Sequence, residues 1–185
     1  MFKYAKVVNH ETGICEVALS DNIDFYKSIG MTGLDVEISD IDGQWYLAEL
    51  CPHKTDEQKL QEAKEQKIIE NDTARDEALN QGVTYKDVLF DSDTDQKVNL
   101  LAMVSTMTGE ETMYWYGKNN TPLLCAKEDL INIGGLITQL HAFCWNKNAE
   151  IKQAIAEAQT IEEVNEIDTH YILPLETESE ETNED

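Results

Sequence analysis

The sequence predicts an α+β protein with a small β-rich N-terminal module, a long connecting helix and a C-terminal domain in which a β-hairpin packs on helices. Three observations support this class. Short β-branched segments separated by polar turns fill residues 1–54. Strong helix formers then occupy residues 55–81 almost without interruption. Finally, residues 127–159 carry apolar side chains with a period near 3.6, which is typical of an amphipathic helix.

The N-terminal module, residues 1–54, is predicted to contain four strands and one short helix. The strands are short runs rich in β-branched or aromatic residues, and the two pairs are each joined by a polar turn that contains glycine. The helix is predicted from an aspartate at its start, Asp21, and a glycine at its end, Gly30. The predicted strands are residues 2–9, 14–19, 34–39 and 44–50.

Residues 55–81 predict one long charged helix. Thr55 and Gln58 have the spacing of a capping box at its start, and Gly82 follows its end. At 1.5 Å per residue this helix reaches roughly 40 Å. Because it has few apolar residues, we expect it to connect the two modules, or to gain stability from a partner helix in a homo-oligomer.

The C-terminal domain, residues 82–174, is predicted to begin with a short strand or paired turn at 83–90. A polar turn follows, and then a helix at 97–107 that places Val98, Leu101 and Ala102 on one side, with Val104 and Ser105 as further candidates for that side. The domain is further predicted to contain a hairpin, the long helix 127–159, in which residues 146–148 are candidates for a bend or a break, and a short helix that opens with a capping box at Thr160. The acidic tail, residues 175–185, lacks the apolar content needed to fold.

The hairpin contains three adjacent aromatic residues, Tyr114, Trp115 and Tyr116, followed by the turn sequence Gly-Lys-Asn-Asn. Successive side chains of a strand point to opposite faces. We therefore expect Trp115 to cover the long helix and Tyr114 and Tyr116 to lie on the other face, where they can meet solvent, another subunit or a ligand. Together with Trp45, these three residues form the candidate interaction surface.

Charge and composition exclude several classes of function. The chain has 14 Lys+Arg against 37 Asp+Glu and a formal net charge of -23, which argues against direct nucleic-acid binding. It contains no apolar run near the ~20 residues that span a bilayer and no signal-peptide pattern, so we expect no membrane partner and synthesis in the cytoplasm. The four widely spaced cysteines are interpreted as reduced, structural thiols.

No pattern in the sequence predicts a metal or cofactor site. Residues 91–95 (DSDTD) begin like a calcium loop, but Gln96 and Ala102 stand where glycine and glutamate are needed, so we interpret them as a turn and helix cap. Two pairs of soft ligands match no known zinc spacing and are interpreted as core cysteines and surface histidines. These pairs are Cys51 with His53, and His141 with Cys144.

Catalysis is also not predicted. The sequence has no Gly-rich phosphate loop, no nucleophile elbow and no HExxH pattern. Cys125 lies in the apolar run Thr-Pro-Leu-Leu-Cys-Ala, whereas a reactive thiolate needs a polar or cationic setting. We expect a protein that is not an enzyme, with no catalytic residues and no cofactor.

Residues 75–160 resemble a bacteriophage domain of unknown function that occurs in prophage tail-fibre and tail-fibre-associated proteins. The resemblance is carried by spaced residues: RDEA at 75–78, GVTY at 82–85, FDSD at 90–93, Trp115, NN at 119–120, Leu124, EDL at 128–130, Phe143, 151–155 and AQT at 158–160. The first 55 residues are similar to the N-terminal module of small tail-region proteins in phages of Gram-positive hosts, through residues 4–9, 25–31 and 44–47. The family has no catalytic residues to carry over.

The resemblance implies a phage tail-associated structural or accessory protein that acts by protein–protein interaction. Its expected partners are tail or fibre proteins, and its expected location is the virion tail, or the host cytoplasm during assembly. An alternative is an acidic inhibitor of a host defence system that mimics nucleic acid by presenting carboxylates in place of phosphates. A third interpretation is a carbohydrate-binding fibre tip that uses Trp115 or Trp45.

Overall fold

The computed structural model describes residues 1–19 and 22–172, so the predicted tail at 175–185 lies outside the described residues. The chain forms two compact units, Met1–Gln61 and a second unit that begins at Glu62. Both helices and strands are present, as the α+β prediction requires. The boundary falls inside the long helix predicted at 55–81, so residues of this helix belong to both units.

The first unit is a four-stranded antiparallel sheet in the order β2-β1-β3-β4. Its elements are β1 (Phe2–Val7), β2 (Cys15–Val17), helix α1 (Ile23–Ser28), β3 (Thr32–Ile38) and β4 (Trp45–Leu47), followed by a 3-10 turn (Ala48–Leu50). Ala5 and Val36 are the most deeply buried residues of its core, which also contains Cys15 and Val17. Both predicted hairpins of this module are confirmed.

The cap of α1 differs from the predicted one. The side chain of Asn22 accepts a hydrogen bond from the Phe25 N–H at 3.3 Å and caps the helix, whereas the predicted cap Asp21 lies outside the described residues. Asparagine and aspartate side chains both offer an oxygen that caps a helix, so the residue types alone could not distinguish Asp21 from Asn22.

The second unit combines two hairpins with long helices. Its elements are the C-terminal part of α2 (Asp56–Asn80), the hairpin β5 (Val83–Tyr85) and β6 (Val88–Phe90), α3 (Thr94–Thr106), the hairpin β7 (Thr112–Tyr116) and β8 (Pro122–Ala126), α4 (Lys127–Glu157) and α5 (Ile161–Glu166). Three aliphatic side chains of α4 are fully buried and form a core with Phe90 and Leu100. They are Leu130, Ile133 and Ile137. In the capping boxes predicted at Thr55 and Thr160, the threonine hydroxyl oxygen accepts a hydrogen bond from the N–H three residues later.

The predicted inner face of α3 is wrong at Val98, Leu101 and Ala102, which are exposed, whereas its further candidate Val104 packs on the core. Leu100 is 2 % exposed, whereas Val98 and Leu101 are 60 % and 72 % exposed. The side that packs on the core contains Leu100, Met103, Val104 and Met107, with the spacing of one helix face. Apolar residues occupy nearly every position from 98 to 104, so periodicity alone could not choose between the two sides.

Helix α2 has residues buried inside the protein, although the sequence predicted a helix that connects the two modules or gains stability from a partner helix. Asn71 and Ala78 of this helix are buried, and the side-chain amide of Asn71 donates a hydrogen bond to the Asn148 carbonyl of α4 at 3.3 Å. The side-chain amide of Asn148 in turn donates to Asp72 at 3.0 Å. These polar contacts hold α2 against α4, although α2 has few apolar residues. Helix α4 continues through residues 146–148 without a break.

No helix in the described residues is long and apolar enough to cross a membrane.

Candidate functional site

The hairpin β7–β8 separates its side chains onto two faces. Tyr114 pairs with Leu124 and Tyr116 with Pro122, while Trp115 pairs with Leu123 one position along. Because side chains alternate along a strand, Met113, Trp115, Leu123 and Cys125 share the inner face and contact the core of the second unit. The opposite side chains point away from that core.

The outer face is apolar and exposed. Tyr114 is 59 % exposed, Tyr116 57 % and Leu124 53 %, and we call these three residues the aromatic face. Both tyrosines were predicted from the sequence, whereas Leu124 was not. The signal was available, because a strand pairing that places Cys125 inward necessarily places Leu124 outward.

Trp115 lies on the inner side, as predicted, and is partly buried against the core. Its indole N–H is buried and has no hydrogen-bond partner among the described residues. A buried donor without a partner costs roughly 1–3 kcal/mol. The ring therefore contributes apolar packing at this position, and it is not part of the exposed aromatic face.

The turn that follows Tyr116 is fastened to the neighbouring hairpin β5–β6. The Lys118 N–H donates to the Leu89 carbonyl at 2.7 Å, and the Gly117 N–H donates to the Thr121 carbonyl at 2.9 Å. The Lys118 ammonium group donates to the Asn80 carbonyl at 2.6 Å. A Cβ atom on Gly117 would lie 2.5 Å from the Leu89 oxygen, so only glycine permits this approach.

The other end of the hairpin is fastened through Asp129, in the first turn of α4. Its carboxylate accepts hydrogen bonds from the Ala126 N–H at 2.8 Å, the Lys86 ammonium group at 2.7 Å and the Tyr85 hydroxyl at 2.9 Å. The bond from Lys86, followed by the Ala126 N–H, holds the pKa of Asp129 below its usual value. The same contact raises the pKa of Lys86. Both ends of the aromatic face are thus held by directed contacts.

Trp45, the fourth predicted site residue, lies in the first unit. It is half-buried beside the core of the first unit, and the Lys3 ammonium group sits 4.4 Å from the centre of its ring. A cation over the face of a tryptophan is a stabilising contact. Trp45 therefore has an intramolecular role within its own unit, and only Tyr114 and Tyr116 of the predicted residues form one exposed surface.

The residues considered for metal binding are mostly engaged elsewhere. Asp93 caps α3 by accepting from the Gln96 N–H at 2.7 Å, as the interpretation of a helix cap requires. The His141 ring nitrogen Nε2 lies 2.7 Å from the Ser92 carbonyl oxygen, and Cys144 is fully buried beside Ala78. Within the described residues, the potential ligand atoms that do converge belong to Glu37, Cys51 and His53, a group that was not predicted from the sequence.

A family model described as "Domain of unknown function (DUF4376)" matches residues 62–169. The chain belongs to this family. No curated protein and no solved structure matches the chain. The DUF4376 region begins at Glu62, where the second compact unit also begins, and it contains both hairpins with the whole of the aromatic face. The family match and the fold therefore divide the chain at the same residue.

A network of polar contacts joins α2 to the other parts of the DUF4376 region. The carboxylate of Asp72 accepts from the Lys152 ammonium group of α4 at 2.7 Å and from Arg75 at 3.0 Å. Near the end of the region, the Thr169 hydroxyl donates to Glu70 at 2.6 Å. The hydrogen bond from Thr169 is the main cause that lowers the pKa of Glu70, and Lys152 is the main cause for Asp72. This network joins the first helix of the region to its last residues.

Proposed function

We propose that the protein acts by protein–protein interaction, as a structural or accessory component of a bacteriophage tail, and that the aromatic face of the DUF4376 region docks its partner. The supporting observation is the exposure of Tyr114, Tyr116 and Leu124 on a hairpin whose other side is packed on the core. Exposed tyrosines offer apolar contact area together with a hydroxyl group, and they are enriched at protein interfaces.

The attachment of the hairpin supports docking without rearrangement. The turn at Gly117 and Lys118 is bonded to β6, and the start of α4 is bonded through Asp129 to the hairpin β5–β6. A face held in this way loses little conformational entropy when it meets a partner. The partner that fits this face is a protein with an apolar surface that accepts two tyrosine rings.

The phage context of the proposal is supported by the sequence resemblance to domains of tail-fibre-associated proteins. The experiment is mass spectrometry of purified particles and of tail assembly intermediates from the phage that encodes the chain. We expect the protein in one of these two fractions. Its absence from both overturns the tail assignment, whatever the aromatic face binds.

The role of the aromatic face is tested on the partner that the first experiment identifies. We expect the variant Tyr114→Ala/Tyr116→Ala to weaken binding by more than tenfold, since interface tyrosines often account for 1 kcal/mol or more each. Ile69→Ala is the matched control, because Ile69 is also an exposed apolar residue of the second unit but lies on α2. Equal losses in both variants would contradict docking by the aromatic face.

The same variants test the expected homo-oligomer. Sedimentation velocity of the wild-type chain measures self-association, and its loss in the double tyrosine variant would assign the contact between copies to the aromatic face.

Salt titration separates this proposal from the acidic-inhibitor alternative. Binding that persists as ionic strength rises supports docking through aromatic rings, and binding that disappears supports mimicry of nucleic acid.

A further inference from the structure

The segment that carries Cys51 and His53 is fixed to the turn between β3 and β4. The buried Ser39 hydroxyl donates a hydrogen bond to the Pro52 carbonyl at 2.8 Å. Two residues later, the Lys54 N–H donates to the Asp40 carboxylate at 2.7 Å. Pro52 further restricts the backbone between Cys51 and His53. These contacts place both side chains beside Glu37, near the end of strand β3.

The three side chains bring suitable ligand atoms together. The Cys51 sulfur, a His53 ring nitrogen and a Glu37 carboxylate oxygen all lie within 4.8 Å of one another, and the distance from His53 Nε2 to Glu37 Oε2 is 3.8 Å. Tetrahedral zinc, with bonds of about 2.0–2.3 Å, separates its ligand atoms by roughly 3.3–3.7 Å. Small side-chain rotations would therefore bring the three ligand atoms to these distances, because the side chains of Glu37 and His53 are exposed.

Asp40 occupies the position of an outer partner for the imidazole. Its carboxylate oxygen lies 3.6 Å from His53 Nδ1, whereas Glu37 lies near the other ring nitrogen, Nε2. The Lys54 N–H and the Lys59 ammonium group, 3.7 Å away, hold this carboxylate in place and lower its pKa. A carboxylate that accepts the second ring N–H of a histidine orients it and increases the basicity of the ligating nitrogen.

The local charge favours a cation. The carboxylates of Glu37, Asp40 and Asp42 act electrostatically on the Cys51 sulfur. These negative charges attract a divalent cation, which stabilises the thiolate that binds it while the thiol proton is released to solvent. Two anionic ligands from Glu37 and Cys51 would balance the charge of one zinc ion.

We propose that Glu37, Cys51 and His53 form a Zn²⁺ site, with Asp40 orienting the imidazole and the fourth coordination position open to water or to a further ligand. This site lies in the first unit, outside the DUF4376 region, and it is independent of the function proposed above. Zinc would join strand β3 to the segment that precedes α2, and would stabilise the first unit by binding only its folded form.

The first experiment is a competition titration of the untagged full-length chain with Zn²⁺ against a chromophoric chelator. We expect one zinc ion per chain. Cys51→Ser and His53→Gln are each expected to lower the affinity by more than about 100-fold, and Asp40→Asn by roughly 10–100-fold, as for other outer partners. His10→Gln and Glu11→Gln are matched controls in another turn of the same unit and are expected to leave the affinity unchanged.

Cobalt provides the readout that a merely acidic surface would not give. With Co²⁺ in place of Zn²⁺, the wild-type chain is expected to show a sulfur-to-metal charge-transfer absorption that is absent in Cys51→Ser and retained in Glu37→Gln. Circular dichroism verifies that each variant is folded. Glu37→Gln is expected to fold like the wild type, because the Glu37 side chain is exposed. Cobalt binding without that absorption, or equal zinc affinity in wild type and Cys51→Ser, overturns the proposal and indicates adventitious binding by surface carboxylates.

Discussion

The side-chain amide of Asn71 in α2 donates a hydrogen bond to the main-chain carbonyl of Asn148 in α4, and both asparagine side chains are buried. The Asn71 side-chain oxygen also accepts from the Tyr171 hydroxyl at 2.8 Å. One polar residue thus connects two long helices and the segment that follows α5. Buried polar groups are tolerated when they have hydrogen-bond partners. These hydrogen bonds therefore allow α2 to pack inside the protein although it has few apolar residues.

Replacing Asn71 with alanine is expected to lower the free energy of unfolding by roughly 1–3 kcal/mol, since the Asn148 carbonyl loses a buried donor and the Tyr171 hydroxyl loses its acceptor. Urea denaturation followed by circular dichroism measures the change. Asn146→Ala is the matched control, because Asn146 is exposed in the middle of α4. A stability of Asn71→Ala equal to that of the control would show that the polar network does not hold α2 in place.

Gly117→Ala is expected to destabilise the second unit by roughly 1–3 kcal/mol through overpacking. The added methyl group would lie 2.5 Å from both the Leu89 carbonyl oxygen and the Val88 side chain, so the turn has to move away from β6. Thermal unfolding measures the loss. Gly109→Ala has open space around it and is expected to change the stability by less than about 0.5 kcal/mol. Unfolding of both variants at the same temperature would contradict the close approach.

Gly135→Ala is expected to stabilise the protein by roughly 0.5–1 kcal/mol. Gly135 is exposed inside α4, and a Cβ atom at this position would meet nothing within 4 Å. Alanine reduces the conformational entropy that the helix loses on folding. Urea denaturation of this variant should give a higher midpoint with an unchanged slope; a lower midpoint would mean that the site has no room for a methyl group.

Acid is expected to destabilise the attachment of the hairpins through Asp129. The folded-state pKa of this carboxylate is lowered, chiefly by Lys86, so the interaction is fully present above the unfolded value of about 3.9 and is lost as pH falls through the folded pKa. Asp129→Asn should be less stable than wild type at neutral pH. The difference should shrink as pH falls below about 4, because the protonated wild-type carboxyl loses its ion pair too.

Unfolding at a series of pH values, with Asp95→Asn as a control for charge at a helix start, checks this prediction. Asp95 is exposed in the first turn of α3. A gap between wild type and Asp129→Asn that stays constant from neutral to acidic pH would show that the ion pair with Lys86 contributes nothing.

Thiol labelling is expected to distinguish the four cysteines. Cys125 and Cys144 are fully buried and Cys15 is nearly so, and burial raises the pKa of all three thiols. Cys51 is the half-buried one and should react first in the native protein with an aromatic disulfide reagent, with all four reacting in urea. Fast native labelling of two or more thiols would contradict the interpretation of Cys15, Cys125 and Cys144 as core residues.

The sequence by itself determined the elements and the facing of the aromatic residues. Strand propensity, capping boxes and glycine stops are local properties, so the hairpin with Tyr114, Trp115 and Tyr116 and the helices that open at Thr55 and Thr160 were predictable from neighbouring residues. Alternation along a strand likewise separated Trp115 from the two tyrosines, because its period of two does not depend on the rest of the fold.

Only the tertiary structure decided which surfaces meet. Leu100 rather than Leu101 is buried because the position of β6 and α4 selects one side of an apolar helix. The burial of Asn71 depends on groups about 77 and 100 residues away, and the grouping of Glu37 with Cys51 and His53 depends on hydrogen bonds that fold one segment against a turn. Contacts of this kind leave no periodic trace in the sequence, since their partners are set by the path of the chain in space.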